Sequence, residues 1–407
     1  MKRILYFYPH KFSGLTDGIH TRIVTMLEYF KDRGFLVDMI NFENPAVLNS
    51  YVTEHKLVDN LYLLTENPFL ATNKKEQAGF KKRLSGKFNR LLNQGFPDFY
   101  HARNYKNNKL PNLMTNSLSA KVAALTEKNE YLAVLVTYTY WSAITKSVSK
   151  KYPVTKKIID PTDFLTLQQF YGDQGMPYRR VGDMFGDEIE RVSQFDDIMH
   201  ISYDELFVFS NFIQHKKHHY IPQFFEQQSK AVTNRAPVLY DVLLIASGNP
   251  YNIEGINWFL QEVYPLLKKN NIKIAVAGNI CNKFSFEGPG IIKLGFVDDV
   301  TALYSAARCT ICPLKRGSGM KIKVVESLSY GIPVVSTSKG LDGFFNKDLA
   351  GGVLVTDQPQ IFAAFIERLL TDDEYYKLQC ELAGKIFQQY FSLEANYLKL
   401  DTIFQEQ

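Results

Sequence analysis

The chain opens on an apolar run, Ile4 to Tyr8, the pattern of a strand buried on both faces. After a loop carrying Gly14 and Gly18, apolar positions recur at Ile19, Ile23, Met26, Leu27 and Phe30, which is helical spacing. Gly34 stops that helix, and Phe35 to Ile40 predicts a second strand. Strand, glycine-bearing loop, helix and strand in this order predict the opening of a doubly wound parallel sheet, whose ligands sit at the C-terminal ends of the strands. Strand-like runs follow at Leu57 to Leu64, Leu132 to Tyr138, Lys157 to Asp160 and Asp197 to Ser202, with helical patterns between them.

From Ile221 to Tyr240 the alternation lapses into a polar stretch bounded by prolines, which reads as a linker. The grammar then repeats. Strands are predicted at Asp241 to Ala246, Ile272 to Ala277, Ile291 to Leu294 and Cys309 to Pro313, with helices at Glu254 to Leu267 and Val300 to Ala307. Arg316-Gly317-Ser318-Gly319 precedes a predicted helix from Met320 to Tyr330, Gly331 ends it, and Ile332 to Ser336 reads as a buried strand. The pattern therefore predicts an α/β chain with an N-terminal domain at 1–225, a linker at 226–239, a second domain at 240–385 and a C-terminal helix at 386–407.

A length of 407 residues with 45% hydrophobic and 22% charged composition fits two such domains, each large enough to be stable without disulfides. Four dispersed cysteines point to a reducing compartment and a cytoplasmic protein. No run of about 18 apolar residues predicts a membrane span. The N-terminal run ends at Pro9 with no small-residue cleavage site after it, so it reads as a strand and not as a signal peptide. The net charge of +5 is too small to indicate a nucleic-acid binder, but its distribution is uneven. Residues 73–110 carry +8, which leaves the rest of the chain at −3. Within that segment Lys74, Lys75, Lys81, Lys82, Arg83, Lys87 and Arg90 alternate with Phe80, Leu84, Phe88, Leu91 and Leu92 at helical spacing. Such a basic amphipathic helix suits an anionic membrane surface, and equally a helix packed on its own domain with a solvated back.

The segment Arg316 to Glu326 carries the clearest chemistry. Two glycines permit close backbone approach to a ligand, and the following helix N-terminus offers unpaired N–H groups with about half a positive charge. Arg316, Lys321 and Lys323 add cationic charge. Glu326 lies seven residues beyond Gly319, on nearly the same helix face, where a carboxylate could accept two hydrogen bonds from a ribose diol.

Asp298-Asp299-Val300, Leu303-Tyr304-Ser305 and Ala307, then Pro313-Leu314, Gly317-x-Gly319-x-x-x-Lys323-x-x-Glu326 and Gly331-Ile332-Pro333-Val334-Val335-x-Thr337, resemble the donor domain of GT-B glycosyltransferases of the retaining family 4 type. The likeness extends upstream to Gly248-Asn249-Pro250-Tyr251-Asn252, Gly255, Trp258-Phe259 and Ala277-Gly278. It implies a GT-B fold, two Rossmann-like domains facing across a cleft, and a retaining hexosyl transfer from a UDP- or GDP-linked sugar to a glycan or lipid-linked acceptor in polysaccharide or glycoconjugate synthesis. Glu326 would hold the ribose hydroxyls, and Gly317, Ser318 and Gly319 would meet the phosphates and sugar. Gly14, Gly18 and Gly248 would line the same donor, and the C-terminal helix at 386–407 would pack back on the first domain as in related chains. The resemblance implies no metal and no cofactor, and no Asp-x-Asp pair occurs in the chain. Two departures stand out. Ser318 occupies the place where many relatives carry a first glutamate, and the loop Ser247 to Asn252 lacks their usual Arg and Lys, so the three cations beyond residue 315 must offset the departing diphosphate.

In the first half, Asp17 and His20 are polar candidates beside the glycine loop, although a lone histidine is as readily a packed side chain. Asp160 and Asp163 follow a strand, where one could orient an acceptor hydroxyl or simply serve an Asx-Pro turn and helix cap. Cys309 and Cys312 sit within a predicted strand and read as core. His215, His218 and His219 read as a basic surface cluster. A GT-B epimerase would need the same diphosphate and ribose contacts, whereas a catalytically silent GT-B scaffold would bind a partner transferase, with the basic segment as an interaction helix. The expected location is the cytoplasm or the inner face of the cytoplasmic membrane, with no nucleic-acid partner.

Overall fold

The computed structural model describes residues 2–8, 18–41, 56–63, 109–148, 156–172, 176–228, 238–267, 271–297, 299–317, 319–347, 349 and 351–405. Gly14, Asp17, Ser318 and the basic residues Lys74, Lys75, Phe80, Lys81, Lys82, Arg83, Lys87, Phe88 and Arg90 lie outside the described residues. The chain divides into two compact units, Met1–His200 with Leu206–His219, and Ile201–Glu205 with Tyr220–Gln407. The C-terminal helix Leu393–Phe404 falls in the second unit, where Ser392 bridges Phe225 and Tyr397 meets Phe224 edge to face.

The first sheet contains β1 (Arg3–Phe7), β2 (Leu36–Asn41), β3 (Asn60–Leu63), β4 (Ala133–Thr137), β5 (Lys156–Asp160), β6 (Asp197–His200) and β7 (Lys217–Tyr220). Their order is β3-β2-β1-β4-β5-β6-β7, parallel from β3 through β6. Four of the five residues of β1 and all of β4 are buried, which is why both read as continuous apolar runs. The helix Gly18–Asp32 is buried beyond the predicted stripe, because Arg22, Val24, Thr25 and Tyr29 are enclosed as well.

The second sheet contains β8 (Tyr240–Ile245), β9 (Ile274–Ala277), β10 (Ile291–Gly295), β11 (Ala307–Cys312), β12 (Val334–Ser336) and β13 (Val353–Val355). It is parallel throughout in the order β10-β9-β8-β11-β12-β13. One face packs Val242, Leu244, Val276 and Cys309 against Phe259, Val263, Phe362 and Ile366, and another cluster buries Cys312, Val324, Leu328 and Phe387. Cys309 and Cys312 thus enter different clusters, as residues three apart in a strand must.

The predicted helix at 254–267 begins earlier, at Pro250, because Asn249 caps it and Pro250 supplies a fixed φ at its first turn. It continues through a π-turn at Phe259–Val263 into Tyr264–Leu267. The helix predicted at 300–307 closes after Ser305, and Ala307 already belongs to β11.

Candidate functional site

In the second sheet the chain leaves β8 toward β9 on one side and leaves β11 toward β12 on the other. The crevice at the C-terminal ends of β8 and β11 is therefore the topological switch point, where parallel sheets take ligands. Two loops border it. After β8, the Asn249 side chain accepts from the Asn252 N–H at 2.8 Å, and the Asn252 side-chain amide donates to the Ser247 carbonyl at 3.0 Å. The resulting helix Pro250–Trp258 rests on the end of β11, since a Cβ at Gly255 would lie 2.7 Å from the Pro313 carbonyl oxygen. Gly248 is similarly hemmed in by Lys283 and the Asn279 carbonyl.

After β11, Gly317 and Gly319 take φ of +125° and +70°, the left-handed region that favours glycine. Lys321 is extended, so the helix starts at Ile322, two residues later than its sequence pattern predicts, and runs to Ser329. The glycine turn consequently stands off from the helix N-terminus.

The three predicted cations differ in their engagements. Arg316 is about half exposed and pairs with Glu254 at 2.8 Å. Lys321 is buried, donates to the Gly319 carbonyl at 2.6 Å, and burial pushes its amine down to about 8 against the opposing pull of Asp342. Lys323 reaches across the crevice to Asn252 Oδ1 at 2.7 Å, and burial lowers its amine as well. One helical turn further, Glu326 Oε2 accepts from the Tyr304 hydroxyl at 3.0 Å. Burial raises the Glu326 carboxyl, while the Tyr304 hydrogen bond and the Lys323 charge pull it back. Glu326 is partly exposed, and among the described residues this is the hydrogen bond its carboxylate accepts. Asn252, Glu254 and Tyr304 are contributors that the physical reading of the turn and helix did not single out; all three lie in or beside the segments that carry the family resemblance.

Gly18 starts the helix after β1, and His20 and Arg22 are buried in its first turns. Arg22 places Nε 2.7 Å from Asp160 Oδ2 and a terminal nitrogen 3.1 Å from Oδ1, with both side chains 1% exposed. The expectation that Asp160 faces an acceptor thus meets a carboxylate whose two oxygens are already engaged inside the first unit. The first turn of the helix Leu165–Gly172 is capped by Glu188, which accepts from the Leu165 and Thr166 N–H groups at 2.9 Å each and from the Thr166 hydroxyl at 2.6 Å. Two non-glycine residues at the ends of β4 and β5, Tyr138 and Thr162, hold φ of +69° and +61°, a strained conformation for L-residues.

The reading of the histidines as a surface cluster needs correction. His215 is exposed, but His219 pairs with the buried Asp197 at 2.6 Å, and His218 stacks on the buried His200 with 2.9 Å between ring nitrogens. His218 and His219 are half-buried because they lie on β7, a strand of the sheet, and not on a free surface. Among the described residues, no group of three or more His, Cys, Asp or Glu side chains gathers to hold a metal ion. No helix among them is long and apolar enough to cross a membrane.

Residues 240–372 match the family described as Glycosyl transferases group 1. An uncharacterized 44.6 kDa protein in the cps region of Klebsiella pneumoniae is 32% identical over 107 residues, 23% of this chain and 28% of that protein. The chain thus aligns with under a third of that curated relative's length. Among solved structures, TarM of S. aureus superposes with a TM-score of 0.65 at 11% identity, covering 100% of this chain and 99% of that one. A glycosyltransferase from Rickettsia africae gives 0.64 at 12%, covering 100% and 98%. Anabaena HepE in complex with UDP and glucose gives 0.62 at 12%, covering all of both chains. At such identities the likeness shows the fold, which is GT-B, with two Rossmann-like units.

Proposed function

We propose that the chain is a metal-independent glycosyltransferase that moves a sugar from a nucleotide-diphosphate donor, UDP- or GDP-linked, to a glycan or lipid-linked acceptor in the synthesis of a cell-surface polysaccharide or glycoconjugate. The observation that carries this reading is the grouping at one switch point of a left-handed glycine turn, the buried Lys321, a partly buried Lys323 held by Asn252, and a partly exposed glutamate. The family match over 240–372 and the UDP and glucose seen in HepE support it.

In this reading Glu326 accepts from the ribose hydroxyls, and the Gly317–Gly319 backbone approaches the diphosphate. Lys323, Lys321 and Arg316 stabilise the negative charge that grows on the leaving group. The acceptor oxygen bonds to the anomeric carbon as the bond from that carbon to the diphosphate oxygen breaks. The electron pair stays with the diphosphate, and the acceptor proton passes to a departing phosphate oxygen on the same face, which retains configuration without an enzymic nucleophile. The first unit is assigned the acceptor, with Asp17, His20 and Asp163 as the candidate side chains. The charge of +8 between residues 73 and 110 supports work at an anionic membrane surface, where each well-placed cation contributes about 1 kcal/mol.

The test is turnover of the purified full chain with UDP- and GDP-sugars and lipid-linked glycan acceptors. Acceptor-dependent release of nucleoside diphosphate with an α- or β-linkage matching the donor is expected. An isomerised donor would replace this reading with an epimerase, and donors left unbound and unconsumed would replace it with a scaffold.

A further inference from the structure

We infer that Tyr304 is the positioning residue of the donor site: its hydroxyl holds one oxygen of Glu326 and thereby directs the other oxygen to the ribose diol. This rests on the proposed role of Glu326 and adds a residue to which that reading gives no part. A glutamate side chain turns about three bonds, and a partly exposed one samples several rotamers unless anchored. Here the anchor is itself fixed. Tyr304 is 1% exposed, and its ring stacks on Tyr330 at 4.7 Å and 17° between planes. The Tyr330 hydroxyl donates to Thr301 Oγ1 at 3.1 Å, and the Thr301 N–H donates to Asp299 Oδ1 at 2.9 Å. Thr301 begins the short helix that carries Tyr304, so ring, hydroxyl and helix close into one rigid assembly around the carboxylate.

The stoichiometry of hydrogen bonds also fits. An ionised carboxylate accepts about four, and the one from Tyr304 leaves the second oxygen free for two ribose hydroxyls. Lys323, one turn away, is engaged with Asn252 and does not take that oxygen. The tyrosine remains a donor at all working pH values, because burial, reinforced by the neighbouring Glu326 charge, holds its hydroxyl far above the ordinary range.

The experiment titrates UDP and GDP into the wild-type chain by calorimetry, then compares the tighter ligand with its 2′,3′-dideoxy counterpart in wild type, Tyr304→Phe and Glu326→Gln. Tyr304→Phe keeps the ring and its stack, and should weaken the ribonucleotide about tenfold while leaving the dideoxy form unchanged. It should also move the acid limb of binding to higher pH. The titratable groups acting on Glu326 are Tyr304, Lys323 and Tyr330, and loss of the Tyr304 hydrogen bond removes an influence that lowers its carboxyl. A merely structural role would weaken both ligands alike and leave the pH limb in place, and that result overturns the inference. Wild-type protein that binds neither nucleotide, or that does not distinguish ribose from dideoxyribose, overturns the assignment of Glu326 itself. Discrimination lost in Glu326→Gln but intact in Tyr304→Phe overturns the role of Tyr304 alone.

Discussion

A carboxylate that serves a ligand must keep an oxygen that no protein group claims, and the two most prominent acidic candidates divide on that point. Glu326 has one oxygen held by Tyr304 and partial exposure, whereas both oxygens of Asp160 are taken by Arg22 out of reach of solvent. Their substitutions should therefore read out differently. Glu326→Ala removes charge-assisted hydrogen bonds and should weaken nucleoside diphosphate binding roughly 10- to 100-fold with the fold intact, as measured by calorimetry and circular dichroism. Asp160→Asn removes the charged partner that Arg22 holds in a buried site and should destabilise the first unit by about 3–5 kcal/mol in urea denaturation. The glycine turn, Lys323 and Glu326 were legible in the sequence because they fall within eleven residues of one another, from Arg316 to Glu326, with fixed helical spacing. The Arg22 to Asp160 pair spans 138 positions, and nothing local marks it.

At the scale of elements, strands were legible where a longer apolar run marked them, as in β1, β4 and β8, and were missed in β13, whose run Val353-Leu354-Val355 is only three residues long; no bounds were read for β7, whose Lys217-His218-His219-Tyr220 carries no such run. Helix starts were displaced where a cap came from an unanticipated residue. Asn249 begins its helix four residues earlier than the apolar pattern does, and Glu188 caps a helix more than 20 positions away. Two predictions belong here. Gly255→Ala places a methyl 2.7 Å from the Pro313 carbonyl, so the helix Pro250–Trp258 must shift from the end of β11. The variant should lose about 1–3 kcal/mol of stability in thermal or urea unfolding, and should bind nucleotide more weakly because Asn252 no longer meets Lys323. Burial raises the Glu188 carboxyl to about 7, against the hydrogen bonds of Thr166 and Leu165. An acid whose folded value lies above its unfolded value of about 4.5 binds more protons when folded. Its contribution is therefore full below that unfolded value and is lost as pH rises through about 7. Urea midpoints measured across this window should fall with pH in wild type, and this component of the slope should vanish in Glu188→Gln.

The whole molecule is two parallel-sheet units with a single concentrated positive segment, and its near-neutral remainder makes that segment the place to test for an anionic partner. Replacing Lys74, Lys75, Lys81, Lys82, Arg83, Lys87 and Arg90 with glutamine should abolish flotation with anionic vesicles while sparing nucleotide binding; unchanged flotation would remove the membrane surface from the proposal. The donor-site claim is tested most directly by determining the structure of the chain with a nucleoside diphosphate bound. The nucleotide should lie at the C-terminal ends of β8 and β11, with ribose hydroxyls within hydrogen-bond distance of Glu326 and phosphates against Gly317 to Lys323. A nucleotide bound elsewhere, or a ribose turned away from Glu326, would contradict it.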